Sequence, residues 1–316
     1  MSFIDELLSG NSQKERKQKA LCAMVIAITA ALLVIALIAF AVCQIVGLTT
    51  NNTPNKGKDD NETPKVELGE TIERQLSSEA VYSGNLLTLN ANNRYKGDPT
   101  VVNLQSRSDR AKTSTGENAY TVLKADQSKY HATDETAAAL NKMLQAFYDA
   151  KKDDNIFISG AYDSSAVSSQ EAVFSSGEAI ALSFFNNYAT SGINDQRPIN
   201  DSEADTDIYK WIYSNAHKYG FVAISAKSNI FRYIGVEYAT AVKASGLSLD
   251  NFFKQLKSAT VETPMVLNTA GTLVAYYCPI TNVKVPKNYE CTISGNNVDG
   301  VIITVDLKSA ADNSIE

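Results

Sequence analysis

The chain has 316 residues, enough for one large or two modest domains with attachments, and a net charge of −6. No dense Lys/Arg face accompanies that balance, which excludes nucleic acid as a partner, because phosphate binding needs concentrated cations. From Ala20 to Leu48 no residue is charged, and Ala, Ile, Leu, Val and Phe dominate. The run exceeds the roughly 20 residues a helix needs to cross a bilayer core. Lys14, Arg16, Lys17 and Lys19 stand just before it and the next base is Lys56, so an N-terminus on the cytoplasmic side is expected. A cleaved signal peptide is the competing reading, with Ala39-Phe40-Ala41 as its small-residue site. The length of the run and the acidic residues of the preceding arm favour an uncleaved anchor.

Thr49 to Lys65 is polar, holds two prolines and has no apolar period, so it reads as a solvated tether. The whole linker is placed at 49–84. Globular patterning begins near Asn85. Asp134 to Lys151 predicts a helix, with Ala137, Leu140, Leu144 and Phe147 on one face and Asp134 and Glu135 in the first turn. Asn155–Gly160 predicts a short buried strand, Ser164–Phe174 a helix, and Gly177–Phe185 a central strand. Glu203–Tyr219 carries the stripe Ile208, Trp211, Ile212, Ala216 and Tyr219, and Gly220 follows as a stop, so one continuous helix is expected. Phe221–Ile224 and Ile230–Ile234 predict consecutive strands. Val236–Ala244 and Ser248–Leu256 predict two short helices, the second capped by Ser248. Beyond Ala259 come β-rich runs at Thr272–Cys278, Val283–Val285, Tyr289–Ile293 and Val301–Val305, with turn chemistry at Ser294–Gly300. Cys22 and Cys43 lie in the apolar run. Cys278 and Cys291 are candidates for a disulfide across adjacent strands, with two free buried thiols as the alternative.

Trp211–Phe221 (WIYSNAHKYGF) and Phe231–Phe252 (FRYIGVEYATAVKASGLSLDNF) carry a family likeness. They resemble the zinc D-alanyl-D-alanine carboxypeptidases of the VanY type, which have W-x-x-x-N-A-x-x-Y-G-F, then E-P-W-H-F-R-Y-V-G, then a helix pair ending in G-L-x-L-E-E-Y. Upstream, Phe157–Ser164 is similar to the family's S-G-Y-R-S turn and Ser175–Phe184 to its S-x-H-x-x-G-x-A-x-D segment. Leu86–Asn90 and the Asp134 helix fall in the matching order.

The resemblance implies zinc held by the His and Asp of S-x-H and the His of E-P-W-H, with the Glu of E-P-W-H as general base. In this chain those ligand positions are Glu178, Phe185 and Ile230, and the base position is Lys227. The family's carboxylate-gripping Arg falls at Tyr162. Phe and Ile have no lone pair for a metal. His131 and His217, the only histidines, are expected at the surface or near a helix cap rather than as ligands. The Ser-rich run Asp163–Ser169 lacks a His or Lys partner for a nucleophile. Catalytic and metal-binding residues are therefore expected to be absent. Phe185 and Ile230 would fill the vacated space, and Glu178 and Lys227 would either pair across it or point to solvent. Arg232, if not held by a local carboxylate, would attract a peptide carboxylate. Tyr162, Asp163, Glu178, Trp211, Arg232 and Tyr233 are the cleft candidates.

The expectation is an α+β fold: a small mixed or antiparallel sheet with flanking helices, a C-terminal β appendix, and one preceding transmembrane helix. Its parts are a cytoplasmic arm (1–19), a membrane helix (20–48), a linker (49–84), a VanY-like domain (85–258), a β-rich appendix (259–308) and a tail (309–316). The apolar run, the replaced ligand positions and the wall connection that the resemblance implies together lead to the expectation of a single-pass bacterial membrane protein whose extracellular, catalytically silent domain binds a peptidoglycan stem peptide or an envelope protein, without a cofactor. The alternative is an active metallo-carboxypeptidase or endopeptidase with zinc in an unusual arrangement. A structural subunit using the β appendix as its interface is a third reading.

Overall fold

The computed structural model describes residues 66–90, 92–122, 130–164, 171–185 and 198–310. The expected membrane segment and its cytoplasmic arm lie outside them. No described helix is long and apolar enough to cross a membrane. Folded structure starts earlier than the expected linker boundary. β1 (Thr71–Glu73) pairs antiparallel with Lys284–Pro286, and Leu68 and Val81 are buried beside it. Three-residue strands are weak alone, and these apolar anchors hold the segment against the β-rich region.

β2 (Val101–Asn103), β3 (Thr121–Val122) and β4 (His131–Thr133) lead into α1 (Asp134–Lys151). Thr133 caps that helix by accepting a hydrogen bond from the Thr136 amide, and Lys152 ends it at φ 55. Ala137, Leu140, Leu144 and Phe147 are fully buried, as their spacing requires. β5 (Ile156–Gly160) and β6 (Ala179–Phe184) are buried along their whole length. Strands covered on both faces read as continuous apolar runs, which is why both were visible in the sequence. Between them Glu171–Ser176 forms a short 3₁₀ helix in place of the end of the expected Ser164–Phe174 helix.

The helix expected over Glu203–Tyr219 is three pieces: α2 (Asp201–Ala204), α3 (Asp207–Asn215) and a 3₁₀ turn at Ala216–Tyr219. The Thr206 hydroxyl and amide both donate to the Glu203 carbonyl, at 2.7 and 3.0 Å, which closes the first turn and lets a new helix start at Asp207. Gly220 follows at φ 85, and a Cβ there would sit 2.5 Å from the Tyr233 ring, so only glycine fits.

β7 (Phe221–Ala223) and β8 (Ile230–Tyr233) form a hairpin, completing a five-stranded sheet in the order β3-β5-β6-β8-β7. Only the β3–β5 pairing is parallel. α4 (Val236–Ser245) and α5 (Leu249–Ser258) follow, with the Ser248 hydroxyl accepting from the Asn251 amide. The C-terminal strands are β9 (Met265–Val266), β10 (Leu273–Pro279), β11 (Lys284–Pro286), β12 (Tyr289–Gly295) and β13 (Gly300–Ala310). Four of them make an antiparallel sheet in the order β12-β13-β10-β9. Cys278 and Cys291 therefore flank the intervening β13, opposite Val301 and Val305, and are free thiols. Two strand spacings of roughly 4.8 Å each exceed the reach of a disulfide, so the bridge is not formed.

The β-rich region packs closely on the rest. Leu86, Ile234, Tyr238, Phe252, Ala275 and Ile302 share one core cluster. The β12–β13 turn also reaches back: the Asn297 side-chain amide donates to the carbonyls of Thr88 and Arg94 at 3.3 and 2.9 Å, and the Thr88 amide donates to the Asn296 carbonyl. That turn fixes the 83–95 segment, which carries Asn85, Leu87, Leu89 and Tyr95 over the centre of β6 and β8.

Candidate functional site

The site is built where β6 and β8 pair, with Ala179 opposite Arg232 and Ala181 opposite Ile230. Residues two apart on a strand share a face, so Ile230 and Arg232 look the same way. Ile230 is buried in an apolar cluster with Leu87, Leu89, Val173, Phe174, Ala179 and Ala181, and Tyr95 and Ile224 pack at its edge. The side chains of that cluster offer a metal no lone pair.

Phe185 does not help to fill this space. It is 52% exposed and lies edge-on against Phe157 at 5.7 Å. Phe184 takes the inward position instead, 4.6 Å from the Tyr209 ring, and the two-residue strand period sends Phe185 outward. Lys227 is also turned away. It occupies the third position of a tight turn closed by the Ser228 amide on the Ser225 carbonyl, with φ 56. Its half-exposed ammonium pairs with Asp201.

Neither alternative for Glu178 and Lys227 holds for both residues: they do not pair, Lys227 faces Asp201, and Glu178 is buried rather than solvated. Glu178 is 7% exposed and faces Arg232, 2% exposed, with one Nη2–Oε2 separation of 3.5 Å. Ser176 Oγ donates to the same carboxylate at 3.3 Å. Arg232 Nη2 also donates to the Asn85 carbonyl at 3.2 Å, and its guanidinium stands 5.5 Å from the Phe253 ring centre. Arg232 Nε is buried without a hydrogen-bond partner. Burial pushes the Glu178 carboxyl up to about 7, against the opposing pull of Arg232. Burial likewise draws the Arg232 guanidinium below its ordinary range, with Glu178 opposing. Both shifts say that desolvation outweighs the attraction of a long, single contact.

Tyr233 donates its amide to the Glu178 carbonyl at 2.8 Å and its hydroxyl to Glu135 at 2.8 Å. Its hydroxyl is raised by burial first and then by Glu135. Tyr162 is half-buried, with its amide on the His131 carbonyl, and Asp163 is exposed on the same turn after β5. Trp211 lies edge-on to Phe147 of α1 at 5.5 Å and packs against a core cluster that also holds Tyr233. Of the cleft candidates, Glu178, Arg232 and Tyr233 come together, and Trp211 does not join them. His131 sits in β4. His217 departs from the expected surface role: it is half-buried on a 490 Å³ cavity beside Tyr213 and Lys243, and burial lowers its imidazole.

The sequence reading missed Asn85, Tyr95 and Phe253 as neighbours of the ion pair. No local signal marks them, because Asn85 meets Arg232 across 147 positions. Tyr95 is raised by burial and then by Glu178. Three ligands are needed to hold a catalytic zinc, and the positions expected for them from the sequence hold an isoleucine in a hydrocarbon cluster, an outward phenylalanine, and a carboxylate engaged with an arginine. Among the described residues, no three His, Cys, Asp or Glu side chains converge on a metal position.

The chain is 27% identical over 264 residues to a D-alanyl-D-alanine carboxypeptidase from Enterococcus faecium, covering 77% of this chain and 82% of that protein. It is a homologue of that enzyme. Among solved structures it is similar to the vancomycin-resistance D,D-dipeptidase VanXYg bound to a D-Ala-D-Ala phosphinate analogue. That match has 20% identity and a TM-score of 0.49, and covers 75% of this chain and 98% of the other. VanYB in complex with D-alanine-D-alanine is similar at 16% identity and a TM-score of 0.31, covering 55% of this chain and 99% of that one. No known protein-family pattern matches the chain.

Proposed function

We propose that this carboxypeptidase-like chain is a catalytically silent member of its lineage that binds peptidoglycan stem peptides in the remodelled cleft. In this reading the apolar run 20–48 anchors it in a bacterial membrane, with the folded part outside. An envelope protein is the alternative occupant.

One observation carries the proposal. Ile230, the position at which the sequence resemblance implies a zinc-binding histidine, is packed among hydrocarbon side chains. Without a metal, hydrolysis of a peptide bond needs a nucleophile with a base or two cooperating carboxylates. Glu178 is engaged by Arg232, and the neighbouring Glu135 accepts the Tyr233 hydroxyl. Binding needs less: buried polar groups and a shaped wall, both of which remain.

The test uses full-length protein, purified peptidoglycan sacculi and a peptide ending in D-Ala-D-Ala. The expected result is retention on sacculi with no D-alanine released above the protein-free rate. Sustained release at enzyme-like turnover would overturn the proposal, as would failure to be retained.

A further inference from the structure

β8 has two faces, and Phe231 stands on the one opposite to Ile230 and Arg232. Phe231 borders the 490 Å³ cavity that also holds His217. The end of α3 with its 3₁₀ turn, β7, α4 and the α4–α5 loop enclose this space. Glu178, Arg232 and Tyr233 do not line it, so it is separate from the cleft. Protein interiors are close-packed, and voids larger than a water molecule are few. A volume of this size falls within the roughly 300–1,000 Å³ of small-molecule sites.

The wall is largely hydrocarbon. Phe221, Phe231, Ala239, Val242 and Leu249 line it and are buried. Polar side chains are few. His217 Nδ1 is sealed from solvent without a hydrogen-bond partner, which leaves Nε2 as the nitrogen able to meet a ligand. Burial first, then Lys243 and Lys218, lower the imidazole, so the ring is neutral. A neutral imidazole donates from one nitrogen, and Nδ1 has no acceptor to donate to, so the proton belongs on Nε2.

Lys243 supplies the charge. Its exposed ammonium has three donors and one described hydrogen bond, 3.4 Å to the Tyr213 carbonyl, one helical turn before His217. No Asp or Glu lines the cavity, although carboxylates outnumber Lys and Arg in the chain by 35 to 29. An apolar wall with a cation and a neutral N–H donor on it complements one kind of molecule, an apolar body ending in a negative group.

We infer that this cavity is a second ligand site, taking a small apolar acid whose body lies against Phe221, Phe231 and Val242 and whose carboxylate meets Lys243 and His217 Nε2. The inference goes beyond the peptide-binding reading and does not depend on it.

The experiment is calorimetric titration of the full-length chain in lipid nanodiscs, with empty nanodiscs as the blank. The probes are octanoate, 4-phenylbutyrate and the neutral amide of each. At least one acid should bind, at least tenfold more tightly than its amide. Preference for octanoate identifies a flexible alkyl body, and preference for 4-phenylbutyrate identifies a ring. Lys243→Gln changes an exposed residue, so folding is retained, and it should weaken acid binding at least tenfold while leaving the amide unchanged. Ser225→Trp, exposed on the rim, should block acid and amide alike. Equal affinity for acid and amide, no binding of any probe, or undiminished acid binding by either variant overturns the inference.

Discussion

Ile230 and Arg232 are two residues apart on one face of one strand, yet their surroundings are opposite. Around Ile230 the space is lined by leucine, valine, phenylalanine and alanine. Around Arg232 a charge has been buried with a long ion pair, one backbone acceptor and an orphaned N–H. A lost metal site can be sealed with hydrocarbon cheaply, because packing restores dispersion contacts and removes the cavity. A buried cation cannot be made cheap that way, and one kept in this condition points to a purpose beyond packing. One face of β8 thus holds an apolar cluster and a buried charge side by side.

The sharpest way to break that comparison is Arg232→Leu. It leaves Glu178 buried without its partner, so a loss of about 3–5 kcal/mol in urea unfolding is expected at pH 8, with a smaller loss at pH 5 where the carboxyl takes a proton. Equal losses at the two pH values would mean that the pair is not coupled. Ile230→Ala tests the apolar cluster and should cost about 2–5 kcal/mol through the cavity it opens. A loss below 1 kcal/mol would show that the cluster is loosely packed.

Glu178→Gln probes the buried charge itself. The folded-state value, about 7, lies above the ordinary 4.5, so the native state holds its proton more tightly than the unfolded chain. Stability from this group is therefore present below the unfolded value and is lost as pH rises from about 4.5 through about 7. The wild-type minus variant difference should fall by roughly 2–3 kcal/mol over that window, while a flat difference would contradict the burial argument. Lys227→Ala should matter least. Its pair with Asp201 is solvent-exposed and is worth about 0–1 kcal/mol, so a much larger loss in thermal or urea melts would show that Lys227 does more than face solvent.

What the sequence made legible follows from how locally each feature is determined. α1 carried its own cap and stripe, β5 and β6 were mostly apolar runs, each broken by one serine, and Gly220 marked a turn that only glycine enters. The break at Asp205–Thr206 was hidden because Ile208 to Tyr219 continues the stripe, and a single threonine hydroxyl decides where the helix stops. Phe184 and Phe185 are chemically alike, so only the strand's phase tells which one is buried. The partner of Glu178 was misread for a different reason. Lys227 and Arg232 are both cations near the same strand, and the turn geometry at Lys227, not its charge, sends it to Asp201. The disulfide expectation failed on topology, since strand order places β13 between two cysteines that adjacent strands would have joined.

Metal content of the full-length chain, purified without chelators and measured by elemental analysis, tests the central claim most directly. The account predicts zinc far below one ion per chain, and no gain of tightly held zinc on incubation with the metal. About one zinc per chain, held through dialysis and lost in Glu178→Gln, would mean that the family's coordination chemistry survives beside Ile230 and that the cleft is not a binding site alone.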